Sequence, residues 1–158
     1  MKKNFLLGKK KISLKNKPYI IAEISANHKQ DFKNAIKLIR FAKSAGADAI
    51  KLQTFKPDKI TLNSNNSDFI ISDKKSPWYK KKLYNLFKEA YTPWSWHEKL
   101  FKYAKNIGLD FFSTPFHEDA VDFLESLNVP YYKISSFENN HLPLIDKVSK
   151  LKKPVLVS

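Results

Sequence analysis

Five short apolar runs punctuate the chain: Tyr19–Ser25, Asp48–Thr54, Asp110–Ser113, Pro130–Ser135 and Pro154–Ser158. Each is too short for a helix and rich in Ile, Val, Phe or Tyr, the composition of a buried strand. Between them, apolar positions recur at helical spacing. Across Asp31–Ser44, a capping Asp31 precedes a stripe of Phe32, Ala35, Ile36, Ile39 and Ala42. Across Thr92–Ile107, the pattern predicts Thr92 as N-cap and Pro93 at the first helical position, where its missing N–H costs nothing. Gly108 closes that helix. His117–Leu127 repeats the stripe through Ala120, Val121 and Leu124, and a last helix near Leu142–Leu151 does so through Leu144, Ile145 and Val148.

The order is therefore βαβαβαβαβ. Near-continuous apolar strands alternating with amphipathic helices predict a parallel sheet covered by helices, of α/β class. The short spacing of the last repeats suits a (β/α)8 barrel of TIM type. Such a barrel usually takes about 250 residues, and here the pattern stops on its fifth strand with no helix behind it. A parallel edge strand is seldom left bare, so the expectation is a barrel cut to its first five strands, over 19–158. Residues 1–18 hold two strand-like pieces around Gly8, read as an N-terminal β-hairpin closing the barrel bottom. A long βα loop, 55–92, falls on the C-terminal face, where barrels keep their active sites, and is read as a lid. It contains a short helical stretch with Leu83, Tyr84, Phe87 and Ala90.

Polar residues inside these strands carry the candidate chemistry, because alternation sends them to one face. Glu23 in the first strand, Lys51 and Gln53 in the second, and Lys133 in the fourth break otherwise apolar runs. Buried charges are costly unless paired with each other or with a ligand. An internal Lys–Glu ion pair accounts for one lysine only. The second asks for an anion, and a small phosphorylated carboxylate satisfies both. Ser113 and Thr114 at the end of the third strand, with Ser136 and Ser158 after the fourth and fifth, add hydroxyls at the same end.

Composition narrows the classes. The 158 residues are 42% hydrophobic, enough for one core, and the absence of cysteine excludes disulfides and Cys-ligated metal sites. Only Phe5-Leu6-Leu7 follows the basic start, far short of a signal peptide, and no run approaches the roughly 18 apolar residues of a membrane span. The expected setting is cytoplasmic, without a membrane partner. A net charge of +14 raises nucleic acid as a partner. Yet Arg40 is the single arginine among 29 basic residues, so the bidentate fork for guanine and phosphate is nearly missing. The lysines are scattered over helix faces, which reads as a solvated surface or a field that attracts an anionic substrate. No nucleic-acid partner is expected. A non-enzymatic anion or nucleic-acid binder is the reading from another class, and four motifs at strand ends are more than it requires.

Pattern alone does not name the anion. Ala22-Glu23-Ile24-Ser25-Ala26-Asn27-His28, Gly46-Ala47-Asp48-Ala49-Ile50-Lys51-Leu52-Gln53-Thr54, Phe112-Ser113-Thr114-Pro115-Phe116 and Tyr132-Lys133-Ile134-Ser135-Ser136 resemble the sialic acid synthase family in order and spacing. Ala90-Tyr91-Thr92-Pro93-Trp94-Ser95-Trp96-His97 and Ser136-Phe137-Glu138-Asn139 resemble its pseudaminic branch. The N-acetylneuraminate and legionaminate branches stand as alternatives. The resemblance implies a carbon–carbon bond-forming transferase that condenses phosphoenolpyruvate with an open-chain 2,4-diacetamido-2,4,6-trideoxy hexose, giving a nonulosonic acid and phosphate. It implies Glu23 as the catalytic carboxylate. It further implies Lys51, Thr114, Lys133, Ser136 and Ser158 as phosphoenolpyruvate contacts, and Gln53, Phe116 and Glu138 near the sugar. A divalent metal, Mn or Mg, is implied in the full-length enzyme, with ligands beyond Ser158, as is a homodimer. His28 and His117 match neither family ligand, His97 and His141 read as ordinary helix-start residues, and Trp94 and Trp96 as packing.

Overall fold

A computed structural model describes residues 4–8 and 10–158. Residues 1–3 and Lys9, part of the expected 1–18 hairpin, lie outside the described residues. The element order is β1 (Asn4–Leu7), β2 (Lys10–Ser13), β3 (Ile21–Glu23), α1 (Phe32–Ser44), β4 (Ala49–Thr54), α2 (Pro57–Ile60), α3 (Leu83–Ala90), α4 (Trp94–Asn106), β5 (Asp110–Pro115), α5 (Glu118–Ser126), β6 (Tyr132–Ile134), α6 (Leu142–Lys150) and β7 (Val155–Val157). Strands β3 to β7 form one parallel sheet in sequential order, and β1 and β2 pair antiparallel. Consecutive parallel neighbours joined by helices are the topology of a partial (β/α) barrel, as the pattern predicts.

Alternation along each strand separates two apolar layers. On the outer face Ala22, Ile24, Ile50, Leu52 and Phe111 pack with Ala35 and Ile39 of α1 and Leu100 and Ala104 of α4. Tyr132 and Ile134 pack likewise with α5 and α6. On the inner face Ala49, Phe112 and Tyr131 meet Leu7 of the hairpin, with Ile12, Tyr19, Ile21 and Leu156 around them. The hairpin thus fills the inner floor, and the polar strand residues are left to the opposite, C-terminal end.

Helix termini explain most of the boundaries. Asp31 caps α1 by accepting from the backbone N–H groups of Lys33 (2.7 Å) and Asn34 (3.1 Å). Gly108 takes φ +73 after α4, a left-handed turn that costs glycine nothing. Thr92 is a correction. The N-cap position of α4 is Pro93, no side chain caps it, and the Thr92 hydroxyl is committed to His28 instead. The strands β3, β6 and β7 are shorter than the apolar runs that foretold them, three residues each. Strand β5 runs to Pro115, two residues further than expected, since β4 pairs with it along its full length.

The 55–92 excursion is ordered by α2, a 3-10 turn at Ser67–Phe69, an isolated bridge between Ile70 and Lys82, and α3. Phe87 of α3 meets Phe55 edge-on at 5.9 Å, which brings α3 against the end of β4.

Candidate functional site

The inner face at the C-terminal end of the sheet carries the charged residues. Parity places Glu23, then Lys51 and Gln53, then Thr114, then Lys133, with Phe112 and Tyr131 of the inner apolar layer beneath them. Register aligns Glu23 with Lys51, and Gln53 with Thr114. The pair Ser113 and Tyr132 sets Thr114 beside Lys133. Lys133 is thus level with Gln53, two strands away from Lys51 and two residues higher, about 12 Å between backbones, which two long side chains can span to one small anion.

The ion pair and hydrogen bonds divide these residues into two groups. Lys51 Nζ is 2.9 Å from the Glu23 carboxylate, with the lysine side chain 8% exposed and the glutamate 57%. Lys133 Nζ donates to Ser158 Oγ at 2.8 Å. Thr114 lies between them, and its buried hydroxyl has no partner among the described residues. A buried hydroxyl without a partner is expensive, so this one is an opening for a ligand oxygen. Past β6 the Ser135 hydroxyl donates to the Glu138 carboxylate. Burial raises the Glu138 pKa, outweighing its own backbone N–H and the nearby Lys133.

Two sequence candidates stand apart from that cluster. Ser136 is exposed on the turn after β6. Phe116 packs edge-on against Phe55 at 5.5 Å, as part of an aromatic rim.

The loop after Glu23 is held by groups that the pattern left idle. Ser25, Lys29 and Gln30 all have positive φ (46, 51 and 56), costing roughly 1 kcal/mol each for non-glycine residues. The Gln30 N–H donates to His28 Nδ1 (3.1 Å), so Nε2 bears the proton and donates to Thr92 Oγ1 (3.0 Å). Asn34 donates to the carbonyls of Asn27 and His28. Burial lowers the pKa of His28, His97 and His117, so all three are neutral near pH 7. His97 is a correction: far from an ordinary helix-start residue, it is wholly buried and bonded to Thr54 at 2.9 Å. Its signal was available, since a histidine one turn into an amphipathic helix sits on the buried side only if a polar partner waits there. Trp94 stacks on Phe123 at 4.5 Å and Trp96 meets Phe32 edge-on at 5.5 Å, both as packing groups.

No group of three His, Cys, Asp or Glu side chains among the described residues is placed to hold a metal ion. A cavity of about 490 Å³ lies at the other end of the sheet, lined by Lys10, Tyr19, Asp48, Lys105 and Asp110 among others. Much of its polar lining is already paired: Lys10 with Asp48, and Tyr19 with Asp110 at 2.6 Å. The mouth, with its unpaired hydroxyl and two lysines, is the better candidate.

Fold and site together define a parallel (β/α) barrel segment with two lysines, a glutamate and an unpartnered threonine hydroxyl at its mouth. The chain belongs to the NeuB family, whose pattern matches residues 38–158. It is 49% identical over 142 residues to the pseudaminic acid synthase of Campylobacter jejuni, covering 90% of this chain and 41% of that one. It is 46% identical over 141 residues to the pseudaminic acid synthase of Helicobacter pylori, covering 89% and 41%. The crystal structure of N-acetylneuraminic acid synthetase from Leptospira borgpetersenii, in complex with citrate, matches 98% of this chain and 48% of that chain, with TM-score 0.80 and 25% identity. The family resemblance carried by the motifs is borne out. The chain spans about two-fifths of the length of the curated relatives it matches. Among the described residues, no helix is long and apolar enough to cross a membrane.

Proposed function

We propose that this chain supplies the phosphoenolpyruvate-binding side of a nonulosonic acid synthase, with the open-chain 2,4-diacetamido-2,4,6-trideoxy hexose of the pseudaminic branch as acceptor. The observation that carries the reading is the alignment of Glu23, Lys51, Gln53, Thr114 and Lys133 on one inner face. Lys51 and Lys133 take the charges of phosphoenolpyruvate, and Thr114 donates its free hydroxyl. Ser158, already bonded to Lys133, lies in the same group, and Ser136 at the rim is its last member. Gln53, Phe116 and Glu138 face the sugar end.

In the reaction, C3 of phosphoenolpyruvate forms a bond to the aldehyde carbon of the sugar. Water adds at C2, the C2–O bond breaks, and inorganic phosphate leaves. Glu23, half-exposed and held by Lys51, is the carboxylate beside the reacting carbon, placed to orient that water or move its proton. A divalent cation would polarise the aldehyde. The described residues offer no three-ligand set for it, so no step of this chain is routed through a metal. The working unit is a homodimer on this reading, in a cytoplasmic setting.

Phosphate release by the protein encoded in the full reading frame is the test. We expect release to require the sugar, and kcat/KM for the diacetamido trideoxy sugar to exceed that for N-acetylmannosamine by at least about tenfold. Equal or reversed preference would move the chain to the neuraminate branch. No release with any sugar would end the reading.

A further inference from the structure

Behind the mouth, three buried side chains form one hydrogen-bonded chain that the proposed reaction leaves unused. Ser113 Oγ is 2.6 Å from Thr54 Oγ1, and Thr54 Oγ1 is 2.9 Å from His97 Nε2. The other ring nitrogen, Nδ1, is 3.2 Å from the Pro93 carbonyl oxygen. All three side chains are fully buried. A carbonyl only accepts, so Nδ1 bears the proton. Burial keeps the ring neutral, which leaves Nε2 as an acceptor. The Thr54 hydroxyl must therefore donate to His97, and the Ser113 hydroxyl must donate to Thr54. This direction satisfies every group in the chain.

Placement gives the chain its meaning. Thr54 directly follows Gln53 on β4, and Ser113 directly precedes Thr114 on β5, while Gln53 and Thr114 are register partners. Neighbours along a strand point to opposite faces, so whatever immobilises the outer pair sets the aim of the inner pair. Lower on the same strands the outer face is apolar, with Ile50, Leu52 and Phe111 against α1 and α4. It turns polar only at the level of the mouth. A fully satisfied buried network fixes one arrangement where apolar packing tolerates several. Thr114 needs that, because its own hydroxyl has no partner to hold it.

We propose that His97 is a positioning residue, acting through Thr54 and Ser113 to hold Gln53 and Thr114 side by side toward the ligand. The assignment rests on the reading of the mouth as a phosphoenolpyruvate site.

Calorimetric titration with phosphoenolpyruvate, paired with melting curves, tests it in the protein encoded by the full reading frame. Thr54→Val leaves His97 and Ser113 each short of a partner, so Tm falls and the Kd for phosphoenolpyruvate rises about tenfold. Thr54→Ser keeps the hydroxyl and stays within about twofold of the unsubstituted protein. The triple variant Ser113→Ala, Thr54→Val, His97→Phe strands no polar group, so most of the lost Tm returns while Kd stays about tenfold raised. A Kd that recovers along with Tm would overturn the proposal, since a merely structural network predicts that. If the triple variant fails to fold, Ser113→Ala decides alone: a Kd raised about threefold at nearly unchanged Tm supports positioning, and an unchanged Kd overturns it. Absence of phosphoenolpyruvate binding by the unsubstituted protein is a separate outcome. It would overturn the reading of the mouth, and this assignment with it.

Discussion

Lys51 Nζ and the Glu23 carboxylate, 2.9 Å apart on register-paired residues of β3 and β4, differ sharply in exposure, at 8% and 57%. The cation is the buried partner, so the pair holds a charge at the mouth floor that the apolar surroundings oppose. Removing the carboxylate leaves that charge with less compensation, whereas removing the lysine removes the problem. Glu23→Gln is expected to destabilise the fold by about 1 kcal/mol, the exposed glutamate limiting the loss. Lys51→Met is expected to leave stability unchanged or higher. Urea denaturation of the two variants reads the difference.

Ligand binding reverses that order of importance. Losing a charged hydrogen bond to a buried ligand costs about 2 to 5 kcal/mol, or roughly 30- to several-thousand-fold in affinity. Lys51→Met and Lys133→Met should each weaken phosphoenolpyruvate binding by that factor in the protein of the full reading frame. Calorimetric titration measures it. Affinities within about threefold of the unsubstituted protein for both variants would rule out the anion site.

Ser158 and Thr114 are neutral, and their removal should cost less. Thr114→Val removes a hydroxyl whose buried oxygen has no partner until ligand arrives. We expect a rise in Tm or none, with phosphoenolpyruvate affinity falling about 2- to 12-fold, the worth of one ordinary hydrogen bond. A fall in Tm would mean that the hydroxyl already serves the fold.

The hairpin gives a prediction independent of function. Gly8 has φ +57, and a Cβ there would sit 1.8 Å from Asp110 Oδ2. Asp110 cannot simply swing away, since its carboxylate accepts from the Tyr19 hydroxyl, which in turn contacts Tyr131 at 2.9 Å. Gly8→Ala combines left-handed strain with this clash and should destabilise by about 1 to 3 kcal/mol in urea. Gly46→Ala also has positive φ but meets nothing within 4 Å, so its cost should be the smaller.

Stability should depend on pH through the buried histidines. For His97, burial lowers the pKa from the ordinary 6.5 to about 4. The unfolded chain then binds more protons than the folded one between those values, so stability is full above about pH 6.5 and declines as pH falls towards 4. The loss from His97 is about 3 kcal/mol, with His28 and His117 acting in the same direction. His97→Gln, which cannot titrate, should flatten that acid limb in chemical denaturation series. An unchanged limb would place the dependence elsewhere.

The sequence by itself determined the strand and helix order, the two faces of each strand and which polar strand residues share the inner face. Those follow from periodicity and from the cost of charge among apolar neighbours, which are local properties: Glu23, Lys51 and Lys133 betray themselves one strand at a time. The family was also legible, because its motifs sit at the strand ends. Only the tertiary structure decided which polar groups meet. Thr92 has the credentials of an N-cap, yet it bonds His28, 64 residues away in sequence. Thr54 looks unremarkable within its segment, Ser113 reads as a mouth hydroxyl yet faces outward, and His97 signals a polar partner without naming it. Their chain exists only because β4, β5 and α4 converge behind the mouth, and a hydrogen bond needs its partner within about 3 Å, a distance that one-dimensional spacing does not encode.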